Sequence, residues 1–407
     1  MKLTFTGCAA AAVLVASTLA PAAAQQISDD VVRIGVLTDM TGPYSDGSGM
    51  GALKAVRMAV SDFGGTVLGK PIEVVHADHQ NKPDIGAARA REWFAVDKVD
   101  MIVDLVNSAV AVAVQAHATE VKRVVIVTAG GSSALSNQYC SPYAVQYAYD
   151  TYALSTGAVK ALAEKPGQSW YFVAVDYTFG QALESDARSA LEKLGGKVAG
   201  SVRHPLNASD FSSYVLSAQN AKPDVLAIAS GASDFANMLR ATREFGLGRD
   251  GKPQITGLFV LLNDLKGVGL EVAQGMTYVD SFYWDMDERS REFSRRFLAE
   301  HGAMPSFSQA ADYSATIQYL KAIEAEGTDN ADAVMQRLRA TKFDDFFLRN
   351  AWLREDGRMI KDMYLMEAKK PSESGGEWDL AKLVKVIPGE DAYRPLADSA
   401  CPLIKKN

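Results

Sequence analysis

Apolar residues along this chain come in short runs, separated by longer segments in which they recur every three or four positions. Val31 to Leu37 is a near-continuous apolar run, and Ala52, Val56, Ala59, Val60 and Phe63 then recur at helical spacing. A run without polar alternation predicts a strand buried on both faces, and the i, i+3, i+4 pattern predicts an amphipathic helix laid against it. The same rhythm predicts strands at Ile72–His76, Met101–Val106 and Val124–Thr128, with helices over Asp84–Val96 and Ser108–Val121. It restarts at Trp170: strands at Trp170–Val175, Val198–Arg203, Val225–Ala229, Ile255–Val260 and Met276–Val279, with helices over Gly180–Leu194, Asp210–Asn220 and Ser233–Phe245. Three more helices, Glu288–His301, Ser308–Ala325 and Asp329–Thr341, are expected to return to the first array. Asp356-Gly357 predicts a hairpin between strands near Ala351–Leu353 and Met359–Ala368, and Pro371 to Gly376 reads as a loop. The pattern is that of an α/β chain with two tandem βα arrays, each a parallel sheet covered by helices.

The first segment stands apart. Lys2 is the only charge before Asp29, an apolar stretch runs from Cys8 to Ala20, and Ala22-Ala23-Ala24 follows Pro21. This is the pattern of a secretory signal peptide covering residues 1–24, with cleavage after Ala24 and a periplasmic destination. The apolar run is shorter than the ~20 residues a membrane-spanning helix needs. Of the 407 residues, 383 would remain once the first 24 are removed, enough for two domains. Losing Lys2 takes the formal net charge from −7 to −8, and an acidic chain without a basic cluster argues against nucleic acid or an anionic membrane as partner. Cys140 and Cys401 remain. In an exported chain they form either one disulfide, tying the C-terminal tail to the middle of the chain, or two free thiols.

Ligands of open α/β sheets sit beyond the carboxyl ends of the strands. The loops there hold Thr41 to Gly47, Asn107-Ser108, Gly130 to Ser133, Asp176 to Gly180, Ser230 to Ser233 and Leu261 to Asp264. Small hydroxyls and glycines at helix starts leave backbone N–H groups open to an anion such as a carboxylate. The same residue types are also ordinary caps and turn formers, so each loop alone could be no more than that. Beside the expected mouth lie Tyr44, Tyr147, Tyr149, Tyr152, Tyr177, Phe179, Tyr283 and Trp284, suited to a planar or branched ligand or else to packing between the arrays.

At these loops the chain resembles the branched-chain amino-acid (Leu/Ile/Val) class of periplasmic ABC-transporter substrate-binding proteins. The matching features are Ile34-Gly35 through Thr41-Gly42-Pro43, then Asp176-Tyr177 with Gly180, then Ala310 to Tyr319 with its Tyr313 helix. The resemblance implies a type I periplasmic binding protein: two Rossmann-like lobes joined by three crossing segments, closing on a small organic acid and delivering it to an inner-membrane ABC permease. It implies no catalysis, no cofactor and a monomer. The expected lobes are residues 31–148 plus about 281–345, and 149–280 plus about 346–407. The ligand-binding residues expected from loops and resemblance together are Tyr44, Ser45, Asn107, Ser108, Gly130, Gly131, Ser132, Tyr152, Tyr177, Phe179, Gly231 and Asp264. Amino-acid binders of this class usually place a carboxylate in the second lobe to meet the α-ammonium. Here only Asp264 could serve, behind the apolar run Leu258 to Leu262, and a buried ammonium without an anion would be costly. Gln146 to Tyr152 and Phe282 to Trp284 look more like the branch that takes aromatic carboxylates. The expected ligand is therefore an aromatic or phenylpropanoid-type acid, with a branched-chain or other amino acid as the alternative.

Enzyme signatures are weak. Gly47 to Ala52 matches G-x-G-x-x-A, but Gly47 lies ten residues past the first strand, where the dinucleotide turn needs it directly after. His76 and His79 lack a third metal ligand and read as solvated loop residues. No G-x-S-x-G elbow is present. A ligand-sensing module would close on its solute in the same way, but would report to a separate receptor.

Overall fold

Rich in Val, Ile and Ala, the apolar runs pair side by side into two sheets, whose central strands are buried on both faces while those at 70–78 and 197–204 alternate with exposed positions. A computed structural model describes residues 1, 27–163 and 166–405; the expected signal peptide and its cleavage site lie outside them. The first sheet contains β1 (Val32–Thr38), β2 (Thr66–Val67), β3 (Lys70–Asp78), β4 (Met101–Asp104), β5 (Val124–Val127) and β6 (Ala144–Gln146), in the order β2-β3-β1-β4-β5-β6. All its pairings are parallel except β2 with β3. The second contains β7 (Ser169–Val175), β8 (Lys197–His204), β9 (Val225–Ala229), β10 (Gln254–Gly257) and β11 (Thr277–Asp280), all parallel. Linking the strands of the first sheet are α1 (Gly49–Asp62), α2 (Pro83–Glu92), a π-helical turn over Trp93–Asp97, and α3 (Ser108–Val121). The second sheet carries α4 (Thr151–Leu162), α5 (Thr178–Lys193), α6 (Ser212–Ala221), α7 (Ala232–Glu244), α8 (Leu262–Val268) and α9 (Leu270–Ala273). Then α10 (Glu288–His301), α11 (Phe307–Glu326) and α12 (Ala331–Ala340) return to the first sheet, α10 and α11 packing on α1. This is the type I periplasmic binding protein architecture.

Two expectations change. The segment expected as one strand, Met359–Ala368, splits: β12 (Lys342–Phe343), β13 (Ala351–Leu353) and β14 (Met359–Ile360) form a small antiparallel sheet, whereas β15 (Met363–Ala368) joins the second sheet. The second sheet is consequently mixed, since β15 runs antiparallel to β11 and β16 (Ala381–Ile387) antiparallel to β15. Lys361-Asp362 breaks the run, because Lys361 turns inward to bond the carbonyl oxygen of Ser281. The segment Gln146 to Tyr152, expected only as an aromatic run, contains the start of α4.

Three apolar cores follow. One lies between the first sheet and α2–α3, and one between the second sheet and α6–α9. The third joins the remaining faces of both sheets, with Val36, Ile126 and Leu320 on one side and Phe172, Ala227 and Leu183 on the other. The chain passes between the sheets after β6, after β11, and through the β13–β14 hairpin into β15. The final residues return to the first sheet, where Cys401 is bonded to Cys140 with Cα atoms 5.6 Å apart.

Candidate functional site

Loops that leave the carboxyl ends of the two sheets meet face to face. Tyr44, beyond β1, shares a hydroxyl–hydroxyl hydrogen bond with Tyr177, beyond β7. The Asn263 amide, at the start of α8, donates to the Asp46 carbonyl oxygen at 2.8 Å. Around the tyrosine pair the rings interlock: Phe179 meets Phe259 edge-on with centroids 5.0 Å apart, Tyr149 meets Phe307 edge-on at 4.8 Å, and Tyr149 lies 5.7 Å from Phe259. Such tilted and edge-on pairs suit the ring quadrupoles. Two glycines make the approach possible. A Cβ on Gly131 would lie 2.6 Å from Tyr149 and 2.8 Å from Phe179; one on Gly231 would lie 2.5 Å from Phe259 and 3.6 Å from Tyr44. Burial pushes the phenols of Tyr44, Tyr149 and Tyr177 above their ordinary range, so all three keep their protons and remain donors.

Of the residues expected from sequence, Tyr44, Gly131, Tyr177, Phe179 and Gly231 meet here. Ser45 lies on the rim beside Asp46, Met50 and Asn263. Asn107 serves as a helix cap instead. Its side-chain oxygen accepts the N–H groups of Ala109 and Val110 at the start of α3, and its amide donates to the Asn81 side chain at 2.6 Å. Ser108 accepts the Ser132 N–H at 3.1 Å, joining the loops beyond β4 and β5, and Gly130 packs against the Leu105 carbonyl. Tyr152 does not reach the cluster, because the Arg394 guanidinium covers its ring at 4.7 Å. Tyr147 bonds Ser314, and Tyr283 and Trp284 hold the Trp378 to Ala381 backbone. Phe259 and Phe307 complete the cluster without having been expected in it. The apolar pattern puts Phe259 in a strand that in fact ends at Gly257. For Phe307 the signal in the sequence is the capping box of Ser306 and Gln309, which places it at the head of α11.

Asp264 stands beside the cluster, but its carboxylate is engaged. It accepts the N–H of Leu261, closing a capping box at the head of α8, and the N–H of Ala232 at the head of α7. Burial raises its pKa to about 7. Neither α5 nor α7 is capped by the side chain at its N-cap position, so first-turn N–H groups other than that of Ala232 stay available to an anion. His79 corrects the reading of both histidines as solvated: it is fully buried, with burial lowering its pKa to about 4, while its Nδ1 accepts the Asn81 N–H. No group of three potential metal ligands occurs among the described residues.

The family model for periplasmic binding proteins matches residues 31–377. The chain belongs to that family. Among solved structures, a periplasmic binding protein from Burkholderia mallei is 47% identical, covering 92% of this chain and 100% of that one, with a TM-score of 0.89. A branched-chain amino acid ABC transporter periplasmic ligand-binding protein from Burkholderia xenovorans is 39% identical, with coverage of 91% and 99% and a TM-score of 0.84. A solute-binding protein of an ABC transporter from Rhodopseudomonas palustris, in complex with 3,4-dihydroxybenzoic acid, shares the fold at 21% identity, 89% and 98% coverage and a TM-score of 0.80. This member of the family is therefore a periplasmic substrate-binding protein of an ABC transporter, not an enzyme; such proteins deliver small ligands to a membrane permease. Among the described residues no helix is long and apolar enough to cross a membrane.

Proposed function

We propose that this periplasmic binding protein captures a small aromatic carboxylate between lobes of about residues 31–148 with 281–345 and 149–280 with 346–407. The observation that carries the reading is the ring cluster at the junction. Tyr44 and Phe307 from one side face Tyr177, Phe179 and Phe259 from the other, with Tyr149 between them on the first crossing, and the only expected partner for an ammonium, Asp264, is spent on two backbone N–H groups. Such faces suit a planar ring that enters when the lobes part, and an ammonium left without an anion would be costly there. The carboxylate meets the Gly130 to Ser132 segment, with the start of α7 at Gly231 opposite. The dihydroxybenzoate-bound Rhodopseudomonas relative supports the same ligand class.

Amino acids are the second reading, favoured by the Burkholderia xenovorans relative and by the nearness of Asp264 to Tyr44. A thermal-shift screen of the mature protein against benzoate-like acids, cinnamate-like acids and amino acids separates the two, because a ligand that binds only the native state raises Tm. Shifts with the aromatic acids alone are expected. A shift with leucine or another amino acid, and none with aromatic acids, overturns the proposal and makes Asp264 the ammonium partner.

A further inference from the structure

The C-terminal tail makes a fourth passage between the two sheets, and this one is closed by a covalent bond. Leaving β16, the chain is anchored to the second sheet's side at Arg394, whose guanidinium donates to Asp186 on α5 at 3.0 Å and lies 4.7 Å over the Tyr152 ring of α4. Arg354, in the third crossing, donates to the Arg394 carbonyl at 2.9 Å. A few residues later the tail is anchored to the first sheet's side. The Asn137 side chain accepts the Ala400 N–H at 2.5 Å, and Cys401 is bonded to Cys140 in the same loop between β5 and β6. That loop is fixed in turn, because Gln115 on α3 donates to its Leu135 and Tyr139 carbonyls. Between the anchors, Pro395, Ala397 and Asp398 are exposed, Leu396–Asp398 forms a single 3-10 turn, and Asp398 pairs with Lys193 on α5 at 3.6 Å, a solvent-exposed tie too weak to hold the strap.

We propose that residues 394–401 are a strap that sets how far the lobes open. The inference rests on the reading of the two lobes as a clamp. Beside the strap, Ser133 of the β5–β6 loop donates to the same Asp186 at 2.8 Å. Opening must break that bond, and the strap's two anchors then move apart. The slack available is small: drawing three residues from 3-10 rise to a fully extended chain lengthens the strap by about 4 Å. Opening beyond that has to detach Arg394 from Asp186, Asn137 from Ala400, or the sulfurs from each other. The disulfide makes the last of these unavailable while the protein stays oxidised, so the strap restrains the open state without touching the ligand.

The test is small-angle X-ray scattering of the ligand-free protein, which does not depend on knowing the ligand. The double variant Cys140→Ser/Cys401→Ser is compared with the oxidised protein, well below its Tm and with a cooperative melt confirming the fold. A second variant keeps the disulfide and inserts three Gly/Ser residues after Leu396. Both are expected to raise the radius of gyration of the ligand-free protein. With any acid identified in the screen, both should also release it several-fold faster. An unchanged radius in both variants overturns the strap. A rise only on losing the disulfide overturns it too, because that pattern reports a loosened loop and not a length limit. If no acid binds at all, the ligand assignment fails while the scattering comparison still decides the strap.

Discussion

At the residue scale the most consequential pair lies under the cleft and takes no part in the ring cluster. Asp104, at the end of β4, and Asp312, on α11, are both fully buried and face each other. Ser48 and the Val106 N–H donate to Asp104, and Thr128 donates to Asp312 at 2.5 Å. Burial raises both carboxyls above their ordinary range, and the charge of Asp104 raises Asp312 further, so the pair holds a proton at neutral pH. The sign follows. The unfolded chain loses both protons above about pH 4, whereas the native state keeps one, so stability falls as pH rises above the carboxylate range. Asp312→Asn keeps the size and can still accept from Thr128 while donating to Asp104. It should flatten the fall of Tm between about pH 5 and 9 and raise Tm at the alkaline end, each pKa unit relieved being worth about 1.4 kcal/mol. A variant whose Tm follows the wild-type pH profile would show that the pair carries no such cost. The sequence hides this pair. Asp104 sits inside an apolar run that predicts strand as far as Val106, whereas the backbone turns left-handed at Asp104 (φ 82°) and Leu105 (φ 58°), which places the carboxyl beneath α1. Its partner stands 208 positions away.

At the element scale the three crossings are joined by two buried cations from the third. Arg358 is fully buried and donates to the carbonyls of Tyr149 (2.5 Å), Tyr147 (3.0 Å) and Met359 (3.1 Å), with Asp150 at 3.8 Å and the Tyr393 ring at 4.5 Å. It thereby fixes the backbone that carries Tyr149 into the cluster. Arg358→Ala leaves three buried carbonyls and Asp150 without their cation and should cost about 3–5 kcal/mol, read by denaturant unfolding. A loss below about 1 kcal/mol would mean that water replaces the guanidinium. Lys361 holds the second crossing through the Ser281 carbonyl at 2.6 Å, under the Phe347 ring. Burial first, and then Arg358, lower its pKa to about 7. Above pH 7 the native amine is neutral while the unfolded one stays charged up to about pH 10, so this residue makes stability rise with falling proton activity only through what the native state has already lost: the unfolded chain binds the extra proton, and stability climbs across that window. Between pH 7 and 9 this opposes the fall set by the aspartate pair, so Lys361→Met should make Tm fall more steeply with pH, which a Tm series from pH 7 to 10 checks; an unaltered slope would show that Lys361 contributes no such term. The Asp356-Gly357 turn beside these cations is legible from composition. That the following run serves two sheets is not, because nothing local marks Lys361 as an inward-facing residue.

At the scale of the whole molecule, periodicity reveals the two arrays because strands and helices are local patterns, whereas closure depends on pairs that only the fold brings together. Tyr44 and Tyr177 stand 133 positions apart and end in one hydrogen bond between the lobes. Half the expected aromatics go instead to the hinge or to the second lobe's own packing, since a tyrosine with a buried partner looks the same in sequence wherever that partner lies. The separation of folding from closure makes the last prediction. The Tyr177 ring is half-buried at the edge of the core that joins the two sheets, with Phe179 beside it and its buried hydroxyl on that of Tyr44. As a position at the edge of that core, Tyr177→Ala should cost about 1 kcal/mol of stability, read as a small drop in Tm with the melt still cooperative. Binding should suffer far more, because the lost ring and hydroxyl act only when the lobes meet: a loss of about 10- to 100-fold in affinity, or about 1.4–2.7 kcal/mol, is expected by calorimetry with the best acid from the screen. Tyr177→Phe, which removes the interlobe hydrogen bond and keeps the ring, should fall between wild type and Tyr177→Ala. Unchanged affinity in Tyr177→Ala would move the ligand away from the ring cluster, whereas equal losses in Phe and Ala would assign the contribution to the hydroxyl pair that closes the clamp instead of to a ring stacked on the ligand.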